Sequence, residues 1–189
     1  VGNLLWPSVA SAMEEVPECM AARPTVVAHS TMPIIAGTDA GSGAHADFEY
    51  YAAAELPDGW LMAGHGHSSD AVLIVQEGPF VQPSTGWLQV WTDAGSGKEK
   101  DYTVWLPTCE DPDYCALGVV CVFGTDEALV EPDEPAAMVH RSCCVAAELG
   151  EEPVWTDAGI GANADLALSS TGVGNLLWPS VASAMEEVP

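Results

Sequence analysis

Apolar and polar positions alternate in short runs along this chain, and clusters of Gly, Pro and Asp divide the runs. Residues 86–93 read GWLQVWTD, 101–107 DYTVWLP, 114–124 YCALGVVCVFG and 136–148 AAMVHRSCCVAAE, all rich in β-branched and aromatic side chains. Such a pattern predicts four strands of about six residues each in that stretch. The nearest approach to a helical stripe is SVASAMEE at 8–15, and its alignment with YCALGVVCV assigns it to a strand as well. The chain is therefore expected to be all-β.

Two levels of repetition organise the strands. Residues 1–17, VGNLLWPSVASAMEEVP, recur without a mismatch at 173–189, so the chain reads as one period over 1–172 followed by a duplicate that forms the joint to a next unit. Within the period, TDAGSG begins at Thr38 and Thr92, and TDAGIG at Thr156. Each is followed by an Asp nine residues from the Thr (Asp47, Asp101, Asp165), an aromatic 13 residues later (Trp60, Tyr114, Trp178) and a small residue four further on (Gly64, Gly118, Ala182). Internal repeats thus cover 38–91, 92–155 and 156–172, the last completed by 1–37 or by the next copy. Three roughly four-stranded units around an axis predict a pseudo-threefold β-prism.

VWTDAGSGKEKDYTVWLPTCEDPDYCALGVVCVFG, residues 90–124, resembles the repeat of the vacuolar protein sorting sixty-two family of fungi and plants. That repeat has a WTD-GSG turn, an Asp opening a W-P strand and a Gly-Tyr-x-x-Leu-Gly strand. Val139–Val145 falls where the family has an apolar strand with Cys-Val, and ADFEYYAAAELPDGWLMAGHG at 46–66 looks like a second copy. The resemblance runs from Thr38 to about Asp165. It departs at Gly37, which stands where the other repeats have Trp91 and Trp155, and at Ala53 and Thr171, which replace Pro107. It implies a β-prism-like fold and carries over no reaction.

Charge narrows the partners. Twenty-eight acidic side chains face four basic ones, Arg23, Lys98, Lys100 and Arg141, for a net charge of −24. That balance excludes a nucleic-acid surface and disfavours anionic membranes. The longest apolar stretch, Ala116–Phe123, is too short for membrane insertion as a helix. An apolar fraction of 48% nonetheless supplies one good core. Six cysteines, an even number, fit an extracellular protein. Cys109 and Cys115 bracket CEDPDYC and could close that loop. Cys143 and Cys144 on a strand would face opposite sides and take different partners, with Cys121 and Cys19 the remaining disulfide candidates.

Candidate chemistry is sparse. In the TDAG turns, Asp39, Asp93 and Asp157 are expected to bond their own backbones. Together with Asp47, Asp101 and Asp165 they also offer hard oxygen ligands that would suit calcium, but they are read first as turn-formers and no cofactor is expected. His65 and His67, two apart with Asp70 nearby, could share a strand face and bind a transition metal, against the plainer reading of an exposed strand end. No G-x-S-x-G string or other catalytic motif occurs, and no enzyme activity is expected.

The duplication suggests what the protein does instead. One prism has one slot for the segment carrying Leu4, Leu5, Trp6 and Val9, yet the chain carries a second copy with Leu176, Leu177, Trp178 and Val181. If 1–17 fills the slot, 173–189 is left with an unpaired edge and an exposed Trp178, and completes the next unit. The expected function is a structural subunit of an extracellular filament or tandem-repeat polymer, with copies of itself as head-to-tail partners. The alternative is a secreted glycan-binding, lectin-like β-prism module.

Overall fold

The computed structural model describes residues 5–7, 24–29, 33–38, 48–70, 72–93, 102–123, 130–146, 149–157, 165–171 and 175–182. These form an all-β structure of several small sheets, and the one helical element among them is a 3-10 turn, Arg141–Cys143. None of its helices is long and apolar enough to cross a membrane. Three sheets are built on hairpins. β3 (Pro33–Thr38) pairs with β4 (Glu49–Ala53). β8 (Gly86–Thr92) pairs with β9 (Tyr102–Thr108), which also pairs with β11 (Val120–Phe123). β14 (Trp155–Thr156) pairs with β15 (Asp165–Ser170), which also pairs with β16 (Leu177–Ala182).

The remaining strands join regions distant in sequence. β2 (Val26–His29) and β5 (Trp60–Met62) flank β6 (Val72–Gln76). β7 (Val81–Pro83) and β10 (Tyr114–Ala116) flank β12 (Ala137–His140), and β1 (Leu5–Pro7) pairs with β13 (Cys144–Ala146). The four-stranded units expected from the sequence are thus not single sheets. β5 and β10 leave the hairpins and pair with chain further on, so sheets of two or three strands result.

The three hairpins share a register, and one of them exchanges its bulk. Gly37 lies opposite Tyr50, Trp91 opposite Val104, and Trp155 opposite Leu168. A register shift falls just before Gly37 and, equivalently, just before Trp91. A Cβ on Gly37 would collide with the hydroxyl and ring of Tyr50, so the tyrosine fills the space over the position where the other two hairpins carry Trp91 and Trp155. Moving the aromatic to the facing strand keeps a ring in the core at that level, although the Gly–Tyr pair is smaller than Trp–Val or Trp–Leu. Tyr50, Trp91, Tyr102 and Trp155 then meet with Phe48, Leu166, Leu168 and Leu177 in one apolar cluster. Its rings pack edge-on: Trp91 and Trp155 stand 6.0 Å apart at 79°, and Tyr102 lies 5.7 Å from Trp155 at 68°. A second cluster gathers Leu61, Leu73, Val75, Leu117, Val139 and Leu176.

Between the clusters three backbone segments touch. The N–H of His65 donates to Val119 O at 2.8 Å, that of Val119 to Leu177 O at 3.3 Å, and that of His67 to Asn175 O at 3.1 Å. Gly64 has φ +148°, and a Cβ there would come within 3.0 Å of the Gly118 backbone; Gly118 in turn lies against the Leu177 carbonyl. Side-chain-free positions are what allow this approach.

That junction corrects the register read from the sequence. Trp60 opens β5 and Tyr114 opens β10, but Trp178 lies in β16, which pairs with β15 as β11 pairs with β9. Phe123, paired with Tyr102, is 21 residues beyond it, whereas Val181, paired with Leu166, is 15 beyond. The third hairpin runs to its next strand by a route six residues shorter, and Leu176 rather than Ala182 takes the place of Gly118. Nor is the second copy of the duplicated segment left unpaired. Leu177–Ala182 holds the edge of β15, while Leu5–Pro7 pairs with β13.

Candidate functional site

A cleft of about 400 Å³ opens where β9, β10, the 3-10 turn and β16 converge. Its walls include Asp111, Tyr114, Cys115, Arg141 and Trp178. The loop after β9 is shaped by Asp111, whose Oδ1 accepts from the Asp113 N–H at 2.9 Å and whose carbonyl accepts from the Tyr114 N–H at 3.2 Å, an Asx-type turn. Tyr114 is then fixed at both ends: its hydroxyl donates to Pro79 O at 3.2 Å, and its ring meets His140 edge-on at 5.2 Å. Arg141 is anchored through its backbone N–H to Asp113 O at 2.7 Å and through Nε to Pro112 O at 2.8 Å. Trp178, half-buried, completes the wall from β16.

Two thiols lie beside this cleft. Cys115 Sγ donates to Cys144 Sγ at 3.8 Å and lies 3.4 Å from Val139 O. Cys115 pairs in register with Val139 on β12, and the 3-10 turn that follows β12 brings Cys144 round to it. Once Cys115 ionises, the Cys144 thiol is the donor across that contact, and this hydrogen bond holds Cys115 below its ordinary pKa, with burial opposing it and the Arg141 charge adding to the effect. Cys144 moves the other way, since it shares that hydrogen bond and is partly desolvated. The loop closure expected between Cys109 and Cys115 is therefore corrected. Both are free thiols, and Cys109 Sγ donates instead to Asp111 O at 3.3 Å. Cys121 is free and buried, its thiol pushed up to about 12 by burial, and Cys143 is disulfide-bonded. Cys19 lies outside the described residues.

The other predicted positions scatter. Asp93 and Asp157 are buried, and each clasps its hairpin: Asp93 Oδ1 accepts from the Tyr102 N–H at 2.5 Å and Asp157 Oδ1 from the Leu166 N–H at 2.8 Å. Each Asp N–H donates back to the carbonyl of the same partner at 3.1 Å, so the carboxylate extends the ladder across the mouth of the turn. Asp39, Asp47 and Asp101 lie outside the described residues; Asp165 opens β15 opposite Ala182. Among the described residues no three of His, Cys, Asp and Glu are gathered so as to hold a metal ion.

His65 is not at an exposed strand end but buried. Its Nδ1 accepts from the Cys121 N–H at 3.0 Å, its ring stacks on Tyr50 at 5.2 Å, and burial lowers its pKa to about 4. His67 Nε2 is buried without a hydrogen-bond partner.

Of the assembly candidates, Leu176 and Leu177 are fully buried in this chain's own core, Trp178 lines the cleft, and Val181 pairs with Leu166. Leu5 and Trp6 pair with Ala146 and Val145, and Leu4 and Val9 lie outside the described residues. Sequence reasoning did not single out Asp111 or the cleft role of Arg141. The one signal for Arg141 was its rarity among so few basic residues.

The fold thus defines a small-sheet, all-β protein with an aromatic cleft. No protein-family profile matches the chain, and no curated protein matches it. The chain is similar to a solved structure, the crystal structure of GNIP1Aa from Chromobacterium piscinae, with a TM-score of 0.72 and 29% sequence identity over 82% of this chain. The match covers 32% of GNIP1Aa, so the chain spans about a third of that protein's length.

Proposed function

We propose that this chain is a β-prism binding module within a longer protein, and that its ligand is a neutral glycan held between Tyr114 and Trp178. The observation that carries the reading is the composition of the cleft. Two aromatic faces offer stacking surfaces for the apolar side of a sugar ring, and Asp111 and Arg141 offer an acceptor and donors for its hydroxyls. Its volume falls in the range of small-ligand sites, about 300–1,000 Å³. A net charge of −24 repels polyanionic glycans at a distance and leaves neutral ones unaffected.

The prism is the architecture we assign to the small sheets. Three hairpins in matching register, a three-way backbone junction and strands that reach from one internal repeat to the next support it, as does the family resemblance of residues 90–124. The share of GNIP1Aa that the chain matches supports a module within a longer chain. An extracellular setting belongs to the same reading. Head-to-tail filaments, the other reading of the duplication, would require one copy to leave the strand it pairs here.

Titration calorimetry against neutral mono- and disaccharides tests the proposal, with Trp178→Ala and Asp111→Asn compared with the parent chain. Stacking worth about 1 kcal/mol or more predicts an affinity at least roughly fivefold weaker for Trp178→Ala. A parent chain that binds none of a broad glycan panel, or variants that bind as tightly, would overturn it.

A further inference from the structure

We propose that Cys115 and Cys144 form a reactive dithiol that reduces low-molecular-weight disulfides entering through the cleft and closes into a disulfide between β10 and β13. The two sulfurs are 3.8 Å apart, already hydrogen-bonded, and need to approach to about 2.0 Å. Cys115 is on the cleft wall with Arg141, so an incoming disulfide meets it first. The Cys144 thiol, as hydrogen-bond donor, and then the guanidinium favour the thiolate there, and the thiolate is the nucleophile. The inference shares a wall with the glycan cleft but does not rest on that reading.

The exchange has two steps. The Cys115 thiolate, its proton lost to solvent, attacks one sulfur of R–S–S–R; that S–S bond breaks, and the first RS⁻ leaves and takes up a proton. Cys144 then gives up its proton, and its sulfur attacks the Cys115 sulfur of the mixed disulfide. The second RS⁻ departs and is protonated. Two protein thiols are oxidised and one small disulfide is reduced to two thiols.

The other free thiols serve as internal controls. Cys121 is buried with its thiol held at about 12, so little thiolate forms near neutral pH. Cys109 lines the same cleft with its sulfur turned to Asp111 O, and is expected to gain at most an adduct.

The full chain, purified without reductant, would be incubated with 2-hydroxyethyl disulfide, alkylated and mapped by mass spectrometry. The expected product lacks two alkylatable thiols, carries no adduct on Cys115 or Cys144, and joins the peptides that contain them. Cys144→Ser should instead trap the hydroxyethyl adduct on Cys115, and Cys115→Ser should abolish the cross-link. Should the variants fail to fold, alkylation of the parent chain alone decides: Cys115 must react faster than Cys121. Intact Cys115 and Cys144 thiols in a chain whose Cys109 carries the adduct would overturn the proposal, as would a Cys144→Ser chain without adduct on Cys115.

Discussion

The two copies of LWP, identical in sequence, occupy different places. At 177–179 the segment opens β16, six residues long, with Leu177 opposite Ser170, Trp178 opposite Ser169 and Pro179 opposite Leu168. At 5–7 it forms β1, three residues long, against Ala146, Val145 and Cys144. Local sequence sets the strand character of both, and chain connection sets the partner. β16 follows β15 after a short loop, so pairing closes a small loop at low entropic cost, while β1 reaches a strand more than a hundred residues away.

The largest test of this difference is to remove each copy in turn. Truncation after Gly172 takes away Leu176 and Leu177, two fully buried side chains whose burial is worth about 3–6 kcal/mol, comparable with the stability of a whole domain. Removal of 1–17 takes away β1 alone among the described strands. Circular dichroism melts should show the first truncation far less stable than the second. Equal melting temperatures would mean that the copies interchange freely and that connection does not decide the partner.

Point substitutions ask the same question with less damage. Leu177→Ala should cost about 2–5 kcal/mol, because the residue has no exposed surface and its neighbours cannot fully collapse. Leu5→Ala should cost less, since β1 makes three residue pairs where β16 makes six. Urea midpoints at a common slope measure both. The comparison fails if Leu5→Ala is the more costly.

Acid sharpens the contrast further. His65 donates its backbone N–H to Val119, which donates to Leu177, so the histidine sits at the junction that receives the second copy. Its imidazole stays neutral in the fold down to about pH 4, while in the unfolded chain it takes a proton near pH 6.5. Its contribution is complete above pH 6.5 and is lost as pH falls from 6.5 towards 4, by about 3 kcal/mol in all. His65→Gln keeps an acceptor for the Cys121 amide without that titration. Its urea stability should therefore fall less than the parent's between pH 7 and pH 4.5. Parallel losses would show that His65 is not held neutral.

Much of the hairpin architecture is legible in the sequence, and its pairing across the molecule is not. The TDAG strings locate the hairpins because an Asp that clasps the strand nine residues on, as Asp93 and Asp157 do, is a local requirement. The replacement of Trp by Gly37 is visible, but its compensation by Tyr50 depends on which residue faces it. The sequence spacing groups Trp178 with Trp60 and Tyr114 because the 13-residue interval recurs by coincidence across a connection shortened by six residues. The thiol pair could not be read at all. Cys109 and Cys115 are close in sequence, whereas Cys115 meets Cys144 only through the register of β10 on β12 and the 3-10 turn beyond it. Of the cleft, the two aromatics are visible in the sequence as repeat markers, and nothing local joins them to Asp111 and Arg141.

Because the first and last seventeen residues are the same, the two truncated chains described above contain identical residues in the same cyclic order. They are circular permutants of one another, cut at different points of a closed 172-residue ring. Any difference between them therefore owes nothing to composition, and measures only what it costs to break the chain before β16 instead of before residue 18.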